Sequence, residues 1–426
     1  MARLNSSGSR VRRPLIAGVV DSGTASLATF LVGIFAANQL DPVVLGGYAL
    51  AYSAVFLAGV IPLNLVLTPV EVSVVQQPTG ERLAHLPGSM RLGAPVALLS
   101  GLAVSAWAFF APAEISPAAV RGLTATAVAV AFVSPMQDHV RRMLHTGGAS
   151  GSAALTSSVQ LLVVLLGLTV GATRGVPAYW VPFGALALAN VCSLFVGLLL
   201  GLRSTGDMDV PPPNLRILMR SGRWLLAAGS LGPATGFVAA ALVARLAGAE
   251  ALGHAEAARV VAQPVWVLAV GLSAVLAPRS IAAAQGLRRD AARRASSLFT
   301  ISALAFGLLA LVWFGFPWKG NPFYHLIPVA YAVSGLAFVS IVAELPLALS
   351  FPFRSEALGA HKEQALFKVE AGGAFLRVTA AASAAITGAF AIPLAKLTMA
   401  LVRLFGFLYV ARGIYRRKFD GDSRAA

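Results

Sequence analysis

Residues 15–68 read LIAGVVDSGTASLATFLVGIFAANQLDPVVLGGYALAYSAVFLAGVIPLNLVLT. Two apolar runs, 15–38 and 43–68, are separated by a short turn that contains Leu40, Asp41 and Pro42. Each run exceeds the roughly 20 apolar residues that a helix needs to cross a bilayer. The pattern is that of two consecutive membrane-spanning helices, and it continues along the chain. Of 426 residues, 57% are hydrophobic and 12% charged, and the mean hydropathy is +0.77. Soluble domains hold roughly 45–50% apolar and about 25% charged residues. Twelve spanning helices would take about 240 residues, close to the apolar share of this chain. Such a composition excludes a soluble enzyme, a disordered protein and a disulfide-rich secreted domain.

Further apolar runs fall at 93–111, 118–138, 152–172 and 179–202, and then at 224–247, 256–277, 298–317, 326–349, 366–388 and 391–411. The expected fold is therefore an all-α polytopic membrane protein of about 12 transmembrane helices. Residues 203–223 carry Pro211, Pro212 and Pro213 among aspartates and arginines. They form the one stretch that reads as a linker between lobes. It divides the chain into an N-terminal lobe (1–202, spans 1–6) and a C-terminal lobe (224–426, spans 7–12) that ends in a short basic tail.

Lys and Arg total 33 and Asp and Glu 17, a net charge of +16. In a soluble protein that excess would point to nucleic acid. Here the basic residues lie in short loops, where they act as a topology signal. With the N-terminus in the cytoplasm, the inner segments hold 24 Lys and Arg and the outer ones 4, with 5 inside spans. The contrast places both termini in the cytoplasm and favours an even number of spans. The Arg-rich start before 15–38 reads as the flank of an uncleaved first span. Trp107, Trp180, Trp224, Trp313 and Trp318 fall near span ends as interfacial anchors, whereas Trp266 does not. A single cysteine, Cys192, permits no intrachain disulfide, and no Cys/His cluster has metal spacing, so neither a metal nor a cofactor is expected. No loop is long enough for a catalytic domain, and no catalytic residue is assigned.

The halves echo one another. FLVGIFAANQLDPVVLGGYA from Phe30 aligns with FVAAALVARLAGAEALGHAE from Phe237 at an offset of 207. Phe30 meets Phe237, Leu45 meets Leu252, Gly46 meets Gly253, and both second spans end near a proline, Pro69 and Pro278. Because each half starts inside and has six spans, the repeats run parallel. A pseudo-twofold axis along the membrane normal would relate them, with a cleft between the lobes.

The stretch VDSGTASLATFLVGIFAANQLDPVVLGGYALAYSAVFLAGV, with its Leu40–Asp41–Pro42 turn and Gly46–Gly47–Tyr48, resembles the first two spans of polysaccharide-export flippases. These belong to the multidrug/oligosaccharidyl-lipid/polysaccharide exporter superfamily. SPMQDHVRRMLHTGG (134–148) resembles the inner end of their fourth span, and ARLAGAEALGHAEAARVVAQP resembles the outer turn again. His254 and Ala255 depart from the Gly-x-Tyr pattern. The resemblance implies a lipid-linked oligosaccharide or related glycolipid moved from the inner to the outer leaflet, and the excess of Arg over Lys, 28 to 5, points to a GC-rich bacterial genome and so to a bacterial inner membrane. The resemblance also implies two lobes rocking about a central cavity lined by spans 1, 2, 7 and 8. Implied partners are that anionic amphipathic substrate, membrane lipids and polysaccharide-assembly proteins, and no nucleic acid.

Ionisable residues within spans each cost about 2.5–3.5 kcal/mol on insertion scales, so they belong inside the bundle or beside a wet cavity. They are Asp21, Arg259, Glu344, Lys368, Glu370, Arg377, Lys396 and Arg403. Glu256, Arg259 and Gln263 share one face of span 8; Glu370 and Arg377, and likewise Lys396 and Arg403, are seven apart on their helices. One reading is a cationic wall for a diphosphate headgroup, built from Arg259, Gln263, Arg377, Lys396 and Arg403, since the arginine fork suits phosphate. Asn64 and Gln160 would then serve sugar hydroxyls, and Trp266 would stack on a sugar ring. The other reading is internal pairing, Glu256 with Arg259 and Glu344 or Glu370 with Arg377 or Arg403. Asn64 and Gln160 would then join helices, and Trp266 would fill core. Asp21, Glu344 and Glu370 are either coupling carboxylates or ion-pair members. Arg245 reads as an outer-interface anchor. Gly59 and Pro62, Gly229 to Gly236, and Pro264 and Gly271 mark candidate hinges. The strip Arg288, Arg289, Arg293 and Arg294 reads as a contact for anionic lipid. Two other functions compete with the flippase: a cation-coupled drug or metabolite antiporter of the same fold, and a polytopic glycosyltransferase or polymerase.

Overall fold

The computed structural model describes residues 6–75, 77–205 and 215–422. All secondary structure among these residues is helical. The chain forms two compact units, residues 1–237 and 238–426. The boundary falls inside a helix, and residues 206–214, the middle of the expected linker, lie outside the described residues.

The first unit opens with α1 (Ser6–Gln39) and α2 (Pro42–Pro62). The turn between them follows from its side chains. Asp41 caps α2, its Oδ1 accepting from the backbone N–H groups of Val43 and Val44 at 3.0 Å. Pro42 fills the first helical position, where no N–H is required. At Pro62 the helix widens into a five-residue π turn, Leu63–Leu67, and resumes as α3 (Thr68–Val74). Then come α4 (Leu86–Ala103), α5 (Pro117–Thr146), α6 (Ser150–Thr173), α7 (Val181–Thr205) and the start of α8 (Leu215–Leu246). A buried cluster of Val66, Leu67, Val70, Leu86, Met136, Met143 and Leu144 joins α3 and the π turn to α4 and α5.

The second unit takes the end of α8, α9 (Gly248–Gln285), α10 (Arg289–Phe314), α11 (Phe323–Leu326), α12 (Leu336–Leu349) and α13 (Phe351–Gly359). It closes with α14 (Glu363–Ala381), α15 (Ala384–Thr387) and α16 (Ala391–Asp422). Pro328 and the left-handed Gly335 (φ 77°) keep 327–335 out of α-helix apart from a single 3-10 turn at Val329–Tyr331, so the expected span at 326–349 starts later and runs on through α13 to Gly359.

Eleven stretches among the described residues are long and apolar enough to cross a membrane. The remaining expected span, the eleventh at 366–388, is present as α14, but Lys368, Glu370 and Arg377 lower its apolarity. The described surface is correspondingly greasy: Ile386 is 91% exposed and Phe109 85%. In water such a surface would be an aggregation hazard, whereas lipid suits it. The chain is a multi-pass membrane protein. Trp180, Trp224, Trp313 and Trp318 are exposed as interfacial anchors should be, but Trp107 is only 1% exposed and packs inside.

The repeat is visible in packing. In the first unit α1 lies on α6, α6 and α5 lie on α7, α4 and α2 lie on α5, and α2 lies on α4. In the second, α14 and α12 lie on α16, α10 and α9 lie on α12, and α9 lies on α10. Ala239 of α8 packs with Ala381 of α14 and Ala395 of α16. Counted by span, the neighbour relations are the same in both units. The ends of α1 and α8, Gln39 and Leu246, also differ by the expected 207 residues. The halves differ at the second span. Neither Pro69 nor Pro278 ends its helix, and α9 runs unbroken for 38 residues where α2 widens.

Two glycines of α8 let it approach the π turn. A Cβ on Gly222 would lie 2.2 Å from the Leu65 carbonyl oxygen, and one on Gly229 would lie 2.3 Å from Asn64 Nδ2. A Cβ on Gly232 would meet nothing within 4 Å. Gly222→Ala is expected to lower unfolding stability in detergent by about 1–3 kcal/mol, the usual cost of overpacking, while Gly232→Ala leaves it unchanged. Thermal unfolding followed by tryptophan fluorescence would measure both.

Candidate functional site

Charges concentrate in each unit separately. In the second unit, α9, α12, α13, α14 and α16 place five basic residues, Arg259, Arg354, Arg377, Lys396 and Arg403, near three buried carboxylates. Glu256, Glu344 and Glu370 are 5, 2 and 8% exposed. Arg259 makes a two-pronged contact with Glu256 one turn before it, Nε to Oε2 and NH2 to Oε1, both at 2.7 Å. The Lys396 ammonium donates to Glu344 Oε1. Arg403 Nε donates to Glu370 Oε2 at 2.6 Å, with NH2 on the same oxygen, and Arg354 Nε stands 3.8 Å from Oε1.

These pairs connect into one region. Lys396 lies 5.9 Å from the centre of the Trp266 ring, and Arg259 and Arg377 are close enough to repel it. Arg377 in turn feels Glu344 and Arg403, and its NH1 points at the Met399 sulfur, 4.0 Å away. The second carboxylate oxygen of Glu344 is sealed from solvent with no hydrogen bond among the described residues. Five cations against three carboxylates leave the region net positive, with Lys396, Arg403 and Arg259 still 22, 19 and 29% exposed at their side chains.

The sequence-predicted residues Arg259, Trp266, Glu344, Glu370, Arg377, Lys396 and Arg403 are thus brought together. Gln263 lies between Arg259 and Trp266 on α9, half-buried. The pairing differs in one respect: Glu344 takes Lys396 rather than an arginine. The lysine reaches it because α12 and α16 pack directly. Trp266 touches Phe351, ring centres 5.3 Å apart, and packs with Leu347, Met399 and Ala400. Lys368 is exposed on α14, and Arg245 is exposed at the end of α8.

Asn64 and Asp21 belong to the first unit. Asn64 sits in the π turn against Gly229. Gln160 joins helices, as one reading held: its Nε2 donates to Asn190 Oδ1 at 2.7 Å, and Asn190 donates to Ser134 at 2.6 Å. Asp21 is 3% exposed and fully engaged. Its Oδ1 accepts from Ser157 at 2.5 Å, its Oδ2 faces His145 Nε2 at 2.9 Å, and Arg141 stands 3.6 Å away. Arg141 and Arg142 both hold Asp138, at 2.5 and 2.6 Å. Arg142 approaches Glu71 at 3.9 Å, and Glu71 meets His139 Nδ1 at 2.8 Å. The other His139 nitrogen faces Ser89 at 2.8 Å. This belt ties α1, α3, α4, α5 and α6. Sequence reasoning missed Glu71, Asp138, His139 and His145 as members. The available signal was the recurrence of 138, 141, 142 and 145 at helical spacing, which gives α5 one charged face.

Removing one member of a buried pair leaves the other charge uncompensated, at about 3–5 kcal/mol. Glu344→Ala is therefore expected to destabilise by that amount, and the pair change Glu344→Leu with Lys396→Met to recover most of it, read as thermal unfolding in detergent. Asp21→Asn keeps hydrogen-bonding oxygen at the same place. It is expected to lower stability by about 1.5–3 kcal/mol, the contribution of a hydrogen bond to a charged group, read as thermal unfolding in detergent.

No protein-family model and no curated protein sequence matches the chain. Solved structures do. An inward-facing multidrug resistance MATE family transporter of the MOP superfamily matches with a TM-score of 0.70 at 13% identity, over 94% of this chain and 99% of that one. An outward-facing MATE transporter of the same superfamily matches at 0.64 and 14%, over 95% of each chain. A MOP superfamily transporter from Pyrococcus furiosus, described as having a binding pocket of reverse polarity that suggests a different function, matches at 0.68 and 14%, over 95% of each chain. The chain has the fold of these transporters.

Proposed function

We propose that the chain is an alternating-access transporter whose cargo is anionic and membrane-embedded, of the lipid-linked oligosaccharide or polysaccharide-precursor class. Its place is a bacterial inner membrane, with both termini cytoplasmic. The observation that carries this reading is the net-positive, partly exposed region of the second unit. Placing five basic groups in membrane-spanning helices is costly, and the three carboxylates there offset only part of that charge. A diphosphate would supply the missing negative charge, and the guanidinium forks of Arg259 and Arg403 suit its oxygens. Trp266, beside Lys396, offers a ring face for a sugar. The fold supports a transporter rather than an enzyme, and the Pyrococcus relative is a precedent for a pocket of altered polarity on it.

A drug or metabolite antiporter of the same fold is the second reading. The multidrug transporters among the solved structures favour it, as does the Glu344 oxygen that has no hydrogen bond among the described residues, which a cation or proton could take.

The test is headgroup accessibility in vesicles reconstituted with the full chain and a fluorescent polyprenyl-diphosphate oligosaccharide. Arg259→Lys, which keeps the positive charge beside Glu256 but removes the guanidinium fork, is expected to slow translocation by about tenfold, the effect of losing one charge-assisted contact, with the amount of folded protein unchanged. Loss of the protein itself would show a structural pair. Transport of a cationic dye in place of the diphosphate would establish the antiporter reading.

A further inference from the structure

The arginine strip that precedes α10 is more than a charged loop. Arg289, Ala292, Arg293 and Ser296 recur at helical spacing and line one wall of a cavity of about 430 Å³. α13 supplies Phe353 and Glu356 to it, and α16 supplies Leu408, Ala411, Arg412 and Tyr415, again at helical spacing. Three faces of three helices of the second unit therefore converge on one space, on the side that the count of basic residues assigns to the cytoplasm. None of these residues belongs to the charged region around Lys396.

The cavity is polarised. Arg289, Arg293 and Arg412 are exposed and stand at its mouth, and the N-terminus of the 26-residue α10 adds its positive dipole end there. Glu356 is only 4% exposed and lies deep. Tyr415 faces it, and the Tyr415 hydroxyl is sealed from solvent without a hydrogen bond of ordinary geometry among the described residues. The Ser296 hydroxyl is already committed to the Ala292 and Arg293 carbonyl oxygens, at 3.0 and 3.3 Å. A ligand that fits must be anionic at the mouth and must offer hydrogen-bond donors to a carboxylate and a phenol at the floor. Chloride and sulfate meet the first demand and fail the second. A net excess of two positive charges also disfavours a headgroup that carries its own ammonium.

We propose that this cavity binds a phosphate ester carrying free hydroxyl groups, of the glycerophosphate type. The phosphate is gripped by Arg289, Arg293 and Arg412, and a hydroxyl donates to Glu356 beside Tyr415. Such a group is presented by an anionic phospholipid of the adjacent leaflet or by a soluble polyol phosphate.

Two probes separate these sources: dihexanoyl phosphatidylglycerol and sn-glycerol 3-phosphate, each titrated against the purified full chain in uncharged detergent. Wild type is expected to bind at least one probe saturably. Arg412→Gln and Arg293→Gln should each weaken it about tenfold, and Tyr415→Phe, which removes one hydroxyl, about threefold. Arg294→Gln, an exposed arginine outside the cavity, should bind as wild type does. Binding of the lipid form alone identifies the leaflet as the source, and equal binding of glycerol phosphate identifies a soluble ligand. The proposal is overturned if neither probe saturates, if Arg412→Gln binds as tightly as wild type, or if Arg294→Gln weakens binding as much as Arg412→Gln does. Unchanged circular dichroism and elution volume exclude misfolding of the single variants.

Discussion

A charged side chain in a membrane-spanning helix has two ways to be tolerated: a counter-charge within contact, or water. Both units follow this constraint, with different results. In the first, Asp21, Glu71 and Asp138 are met by Arg141, Arg142, His139 and His145 in a closed belt. In the second, Glu256, Glu344 and Glu370 each have a cation at contact, and the five cations of their region outnumber them. The first arrangement behaves as a fastening. The second leaves positive charge that only an outside partner or solvent can balance, and this asymmetry separates the two clusters.

Much of the architecture was readable from patterns a membrane imposes. Run lengths near 20 residues, short loops and the bias of arginine to one side follow from hydrocarbon thickness and insertion energetics, so they survive in a single sequence. The 207-residue echo was legible because α1 and α8 end in equivalent turns. What escaped was anything requiring knowledge of which helices are neighbours. Glu344 could be assigned a basic partner but not Lys396, since that choice depends on α12 packing on α16. His139 and His145 look unremarkable along the chain and gain meaning only when Glu71 and Asp21 arrive from other helices. Trp107 satisfied the rule for an interfacial residue and is nonetheless core, because position along a span does not reveal which side faces lipid.

The candidate site was legible in membership more than in arrangement. Insertion cost selects Arg259, Glu344, Glu370, Arg377, Lys396 and Arg403 by residue type alone. Whether such residues bind one another or a ligand is a matter of ångströms, and here both descriptions hold in part. Arg354 joined the group unannounced, because the sequence placed it in a loop and the structure placed it in α13, one helix from Glu370.

The π turn at Leu63–Leu67 has a consequence for α3. A π turn accommodates one more residue than an α turn, so the side chains that follow it are out of phase with α2 by roughly one residue, about 100° around the axis. Glu71 lies four residues past that insertion. Its carboxylate faces His139 because of the added residue, and a regular helix through the same stretch would point it elsewhere. The azimuth of the acidic end of the belt is thus set by a local widening of the backbone several residues upstream.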